Sequence, residues 1–86
     1  MYVILVYDFG EKRVAKILKL CRKYLMWVQN SVFEGEISEV NLKELIMKAK
    51  VFMNPDDSII LFKHASHVYL DKEIIGREIC STDNFL

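Results

Sequence analysis

One uninterrupted apolar run near the start of the chain constrains its fold more than any other feature. Residues 2–7 carry no charge and are β-branched, aliphatic or aromatic, which is typical of a strand buried on both faces. Asp8 ends this run, and Phe9-Gly10 then turns the chain toward a helix that begins at Glu11. We therefore expect a central strand with a carboxylate at its carboxyl end.

The residues around Asp8 leave two roles open for it. Ligands commonly bind at the carboxyl ends of central strands, and a carboxylate is costly to desolvate unless it meets a cation or hydrogen-bond donors. Alternatively, Asp8 accepts the backbone N–H groups that open the next helix. This stretch favours neither role over the other.

Length and composition limit the chain to one small domain, residues 1–86, with a core unit of about 1–66 and a C-terminal strand and tail of about 67–86. The 52% apolar content is high for 86 residues, so we expect a partner subunit to cover part of that surface. No run approaches the roughly 18 apolar residues that span a bilayer, and no basic leader precedes the first strand. Cys21 and Cys80 match no metal spacing and are expected to be reduced, which favours the cytoplasm.

The net charge of zero argues weakly against a nucleic-acid binder, but the charges are unevenly distributed. Residues 1–33 hold six Lys and Arg against two acids, a balance of +4, whereas residues 34–86 hold six against ten, a balance of −4. The domain can therefore still present one basic face.

The predicted first helix, Glu11 to about Leu25, supplies that basic face. At 100° per residue its apolar residues lie on one side, namely Val14, Ile17, Leu18, Cys21, Tyr24 and Leu25. The opposite side carries a lysine stripe that spans roughly 16 Å and consists of Lys12, Lys16, Lys19 and Lys23. The stripe is either a solvated helix face or a track for phosphates, which lysines attract independently of sequence.

Residues 26–36 predict two short strands, or one bent strand, at the edge of the sheet. Gln29-Asn30-Ser31 interrupts the apolar pattern, and Gly35 indicates a bulge or a strand end. Ser31 is a candidate site contact beside Val32-Phe33, with a hydroxyl that bonds the backbone of a turn as the alternative.

The second half of the chain predicts one helix and two strands. Ser38 is the expected N-cap of a helix to about Val51, whose apolar face consists of Val40, Leu42, Leu45, Ile46 and Ala49. A loop at 54–57 precedes a central strand at 58–62, and residues 72–79 predict a last strand that pairs with the sheet edge of another chain. His64 and His67 lie i,i+3 with no third ligand nearby, so no zinc site is expected.

This order of elements predicts an α+β fold. A β-α-β-β-α-β unit closes as a ferredoxin-like antiparallel sheet with both helices on one face, and the C-terminal strand is additional. A second copy of the domain would cover the open sheet face, so we expect a homodimer.

In these features the chain resembles the small CRISPR-associated adaptation proteins, the second protein of the pair that captures new spacers. The motifs are Tyr-x-x-x-x-Tyr-Asp at 2–8, Arg13 in the first helix, and Trp-x-Gln-x-Ser-Val-Phe-Glu-Gly at 27–35. The apolar strand near 58–63 and Ile-Ile-Gly at 74–76 fit in register, so the resemblance covers the whole length.

The resemblance implies a homodimer with its two Asp8 side chains facing each other, and an endonuclease that cleaves single-stranded RNA or double-stranded DNA. It implies magnesium as cofactor, with manganese as the other candidate, and a larger CRISPR-associated integrase subunit as partner. Asp8 would be the metal ligand, and Tyr7, Arg13, Ser31 and Phe33 its catalytic surroundings. Some relatives carry a basic residue in place of Trp27, so the resemblance supports no phosphate contact there.

Three functions remain open. The first is a metal-dependent nuclease that uses the Asp8 pair, which suits magnesium because that ion takes oxygen ligands and often only one or two carboxylates. The second is a non-catalytic scaffold that holds nucleic acid through the lysine stripe. The third, a regulatory domain for a small ligand, is disfavoured because the chain has no Gly-rich loop.

Overall fold

The computed structural model describes residues 1–64 and 71–76. In chain order, the elements of this part are β1 (Tyr2–Asp8), α1 (Val14–Arg22), β2 (Met26–Gln29), β3 (Val32–Glu36), α2 (Glu39–Phe52), β4 (Ser58–His64) and β5 (Asp71–Gly76). The strands form one sheet in the order β2-β3-β1-β4-β5, and all neighbouring pairs are antiparallel. The predicted α+β fold, a β-α-β-β-α-β unit with an additional strand, is confirmed.

The two faces of the central strand β1 have different environments. Val3, Leu5 and Tyr7 are buried in the core beneath the helices. Because side chains alternate along a strand, Ile4, Val6 and Asp8 lie on the other face, which no helix covers. Burial of β1 on both faces, as its apolar run predicted, is therefore not reached within one chain.

Helix α1 is shorter than predicted. Residues 11–13 form a turn, and the helix begins at Val14 without a side-chain cap and without an acid in its first turn. Its buried residues are Ile17, Leu20 and Cys21, whereas Val14 is 41% exposed although its position predicted a core contact.

The segment between the helices forms two strands, as one of the alternatives predicted. The ladder between β2 and β3 shifts register between Trp27 and Gln29, so the bulge lies in β2 and not at Gly35. Asn30 adopts a φ of +45° in the connecting turn, a conformation that asparagine tolerates better than most residues.

Helix α2 begins as predicted, because the Ser38 hydroxyl accepts a hydrogen bond from the Asn41 N–H at 3.1 Å. Leu42, Leu45 and Ala49 pack into the core. The predicted core residue Val40 is instead 75% exposed.

The last described strand, β5, pairs with β4 of the same chain, from Ser58 opposite Gly76 to Lys63 opposite Asp71. Only its outer edge is therefore left for the predicted pairing with another chain. His64 ends β4, whereas His67, Cys80, residues 77–79 of the predicted last strand and the tail at 81–86 lie outside the described residues. No described helix is long and apolar enough to cross a bilayer.

Candidate metal and nucleic-acid site

Asp8 lies at the carboxyl end of β1, on the sheet face that the helices leave open. Its side chain is exposed and stands opposite Ser58 of β4 in the strand register. Within residues 1–64 and 75–76, whose side chains are described, no hydrogen bond or ion pair occupies its carboxylate. The Asp8 oxygens are therefore available to a cation.

The helix-capping alternative for Asp8 is wrong, because no side chain caps α1 and a different carboxylate binds the turn that leads to the helix. The Gly10 N–H donates to Asp57 Oδ1 at 2.8 Å. Asp57 belongs to the loop before β4 and is 1% exposed. Through this bond the turn after β1 is attached to a loop 47 residues further along the chain.

Arg13 is the main charged partner of Asp57. Its Nε donates to Oδ2 at 2.5 Å and its Nη2 donates to Oδ1 at 3.0 Å, a bidentate ion pair. The Asn54 N–H adds a third donor, at 2.9 Å from Oδ2. We refer to Gly10, Arg13, Asn54 and Asp57 together as the Asp57 network.

Arg13 determines the ionisation of Asp57. Its guanidinium holds the pKa of this carboxyl well below the usual range, and the Asn54 and Gly10 N–H groups act in the same direction, whereas burial opposes them. The same hydrogen bond raises the pKa of Arg13. Arg13, predicted as a neighbour of Asp8, therefore directs its charge to Asp57.

Tyr7 and Phe33 belong to the core. Phe33 is fully buried, Tyr7 is 5% exposed, and their ring centroids lie 6.1 Å apart in a stacked arrangement. Burial raises the pKa of Tyr7. Because Tyr7 and Asp8 are successive strand residues, their side chains lie on opposite faces of the sheet. The structure does not bring Tyr7 and Phe33 to the Asp8 carboxylate, and their catalytic role stays a prediction.

Ser31 contributes through its backbone. It lies half-exposed between β2 and β3, and its carbonyl accepts a hydrogen bond from the Tyr7 N–H at 3.1 Å. No bond to its hydroxyl occurs in the described part of the chain. Ser31 therefore fixes the end of β1 one residue before Asp8, and a catalytic contact of its hydroxyl stays a prediction.

The lysine stripe is fully on the surface. Lys16 and Lys19 lie in α1, Lys12 in the preceding turn and Lys23 directly after the helix, and all four are exposed. The Lys16 ammonium lies 5.7 Å from the centroid of the Phe52 ring. None of the four pairs with an acid among the described side chains, those of residues 1–64 and 75–76, so their charges are available to an anionic ligand.

Asp57 is the residue that sequence reasoning missed. It was assigned only to the loop at 54–57, and its partners Gly10 and Arg13 lie 47 and 44 residues away. One signal was present in the sequence, because Asp57 directly precedes an apolar strand. A carboxylate at the end of a buried strand is expected to be buried as well and therefore to need hydrogen-bond donors.

The chain matches a family model and several curated proteins. Residues 1–71 match the model described as "CRISPR associated protein Cas2". A CRISPR-associated endoribonuclease Cas2 of Thermotoga maritima is 47% identical, with 91% of each chain covered. One of the same name from Fusobacterium nucleatum is 41% identical over the whole chain and 87% of the relative.

Solved structures agree with these matches. A structure described as "Crystal structure of cas2" has a TM-score of 0.74 at 41% identity and covers 95% of this chain and 93% of its own. The Cas2 of Streptococcus pyogenes has a TM-score of 0.69 at 27% identity, with coverages of 78% and 89%.

The low pKa of Asp57 predicts how stability depends on pH. Because the pKa of Asp57 is lower in the folded than in the unfolded state, its ionised form stabilises the fold at pH values above the unfolded pKa of about 3.9. This stabilisation is lost as the pH falls from that value toward the folded pKa. At pH 7 we expect Asp57→Asn to lower the free energy of unfolding by about 3 kcal/mol, since it leaves the Arg13 cation without its buried partner. The free energy of unfolding of both proteins is measured by urea unfolding at a series of pH values between 7 and 2.5.

The difference between wild type and Asp57→Asn should shrink below pH 4, because Asp57 of the unfolded wild-type chain then takes up a proton while folded Asp57 stays ionised, which favours unfolding of the wild type. The control is Glu11→Gln, which neutralises an exposed acid outside the network and whose effect should stay within about 0.5 kcal/mol. A difference that stays constant across this pH range would contradict the ion-pair account.

Proposed function

Because the chain belongs to the CRISPR-associated Cas2 family, we propose that it is an endonuclease of CRISPR adaptation that also holds nucleic acid. The observation that carries this proposal is Asp8, an exposed carboxylate at the end of a central strand, without a partner in the described part of the chain. The relatives from Thermotoga and Fusobacterium are named endoribonucleases, which supports nuclease chemistry for this chain.

A homodimer would complete the site. Val6 faces Val32 and Ile60 in the register of the open sheet face, and all three side chains are half-buried within one chain. A second copy packed on this apolar face would remove it from water, and a two-fold axis would apply to Asp8 as well. Two Asp8 carboxylates could then share one site.

The donors at this site suit magnesium. Magnesium prefers oxygen ligands and commonly takes one or two carboxylates, and manganese accepts similar ligands. No group of three or more His, Cys, Asp or Glu side chains that could hold a metal occurs in the described residues, so the described part of one chain offers Asp8 with fewer than two further ligands of this kind. When bound, the ion would activate water and offset the charge that develops on the phosphoryl oxygens.

The described residues supply binding and orientation, and their one histidine, His64, lies too far from Asp8 for proton transfer there. His64 stands opposite Tyr2 at the far end of β1, roughly 20 Å along the strand from Asp8. It therefore cannot serve as a general base beside Asp8 of the same chain. This arrangement favours a slow nuclease over an efficient one.

A second function, a nucleic-acid scaffold, is favoured by the lysine stripe. Four exposed lysines without acidic partners in the described residues would attract the phosphates of duplex DNA or single-stranded RNA. One dimer could both cleave and hold nucleic acid, and a larger CRISPR-associated integrase subunit would be its partner in spacer capture. The family match leaves a small-ligand regulatory domain without support.

The first experiment tests Asp8. Wild type, Asp8→Ala and the control Glu11→Ala, which removes an exposed acid from the following turn, are incubated with labelled single-stranded RNA and duplex DNA. We expect cleavage that requires magnesium, stops with EDTA, and falls about 100-fold in Asp8→Ala, a loss of roughly 2.7 kcal/mol of transition-state stabilisation. Glu11→Ala should cleave like the wild type. Activity that is unchanged in Asp8→Ala would indicate a contaminating nuclease and remove Asp8 as the metal ligand.

The second experiment tests the lysine stripe. The double reversal Lys12→Glu with Lys19→Glu is compared with Lys43→Glu with Lys50→Glu, which changes the net charge equally on exposed positions of α2. We expect the first pair to weaken duplex binding and to flatten its salt dependence, by about 0.9 in the log–log slope for each phosphate that the variant no longer neutralises. Equal effects of both pairs would mean that total charge, and not the stripe, governs binding.

A further inference from the structure

We propose that Asp57 is a positioning residue for the nuclease site, because it fixes the chain that directly follows Asp8. This inference rests on the proposed function for its catalytic readout, but its structural readout is independent of catalysis. Asp57 is buried and both its oxygens are bound by the protein, so it acts through its partners and not on a substrate.

The register brings Asp57 close to the end of β1. Ser58, the next residue, is paired with Asp8 across the β1–β4 ladder. From this position Asp57 Oδ1 accepts the N–H of Gly10, two residues beyond Asp8, at 2.8 Å. The chain on the carboxyl side of Asp8 is therefore attached to β4 through a buried carboxylate, while its amino side is held by the β1 ladder.

Asp57 uses both oxygens fully. Oδ1 accepts from Gly10 and from Arg13 Nη2, and Oδ2 accepts from Arg13 Nε and from the Asn54 N–H. A carboxylate offers about four acceptor positions, so the network is saturated. A saturated and buried network has one low-energy arrangement, which is what a precise site requires.

Arg13 acts as part of the Asp57 network. Two of its N–H groups bind Asp57. The Asn54 side-chain amide lies beside the guanidinium, and the orientation that satisfies both groups turns its oxygen toward Arg13, where it would accept from Nη1 at 3.0 Å and Nη2 at 3.2 Å. The guanidinium N–H groups of Arg13 are therefore already engaged, and they cannot also bind a phosphate in the bidentate manner typical of arginine. The structure assigns Arg13 to the support of the Asp8 turn.

Gly10 supplies an independent observation. A Cβ atom at this position would collide with Arg13 Nη2 and lie 3.3 Å from Arg13 Cζ. Because Asp57 holds the guanidinium in place, that collision cannot be relieved without breaking the network. Gly10→Ala therefore disturbs the same arrangement without changing any charge.

The test compares Asp57→Asn and Gly10→Ala with the control Glu11→Gln, which neutralises an exposed acid outside the network. Asp57→Asn replaces one acceptor oxygen with an NH₂ donor that faces other donors. Amide hydrogen exchange of Gly10 and Arg13 is measured by NMR and normalised to Leu5 and Leu61 in the central strands. In both test variants we expect the turn amides to exchange at least about tenfold faster relative to the strand amides. The reason is that the turn can then open without first breaking the hydrogen bonds of the Asp57 network.

Cleavage provides the second readout. We expect kcat to fall about tenfold in Asp57→Asn and Gly10→Ala while KM for nucleic acid changes less than about twofold, since Asp8 is misplaced but Lys16, Lys19 and Lys23 lie beyond the loosened turn. A purely structural role would lower the melting temperature and leave both the relative exchange and kcat per folded molecule at wild-type values, which would overturn the inference. If the wild type cleaves nothing, the proposed nuclease fails, and the exchange rates still decide the role of Asp57.

Discussion

The buried ion pair between Asp57 and Arg13 is the interaction on which the organisation of this end of the molecule depends. An unpaired carboxylate with 1% exposure would be strongly destabilising, but four N–H donors offset its desolvation. The same bonds join the turn after β1, the start of α1 and the loop before β4. The exposed pair of Lys48 and Glu44 on α2 contributes little by comparison, because water screens it.

The alternation of side chains along β1 connects the core to the candidate site. Leu5 and Tyr7 point toward the helices, so Val6 and Asp8 must point to the open face. The sheet thus presents an apolar surface with a carboxylate at its end, and the basic helix α1 lies on the opposite face. A second copy on the open face would leave both lysine stripes exposed, so the nuclease and scaffold functions are compatible in one dimer.

Local signals predicted much of this arrangement. The apolar runs at 2–7 and 58–62 became β1 and β4, Ser38 became the cap of α2, and the exposed lysine stripe followed from helical spacing. Each of these depends on neighbours close in sequence, which a periodicity argument can read. The family resemblance was confirmed as well.

The remaining features depend on contacts that are distant in sequence. The partner of Arg13 lies 44 residues away, so no spacing rule could identify Asp57. Without an N-cap or an acidic first turn, α1 begins at Val14 and not at Glu11. The motif at 27–35 predicted Phe33 near Asp8. In the structure Phe33 pairs with Leu5 in the β1–β3 ladder, and its side chain therefore lies in the core.

Mixed dimers test the shared metal site most directly. Wild-type and Asp8→Ala subunits are refolded together in varied ratios, and magnesium-dependent cleavage is measured at constant total protein. If two Asp8 carboxylates form one site, activity follows the square of the wild-type fraction, so an equal mixture retains about one quarter of the wild-type rate. A linear decline, with about one half retained, would mean that each subunit acts alone and would contradict a site shared across the dimer.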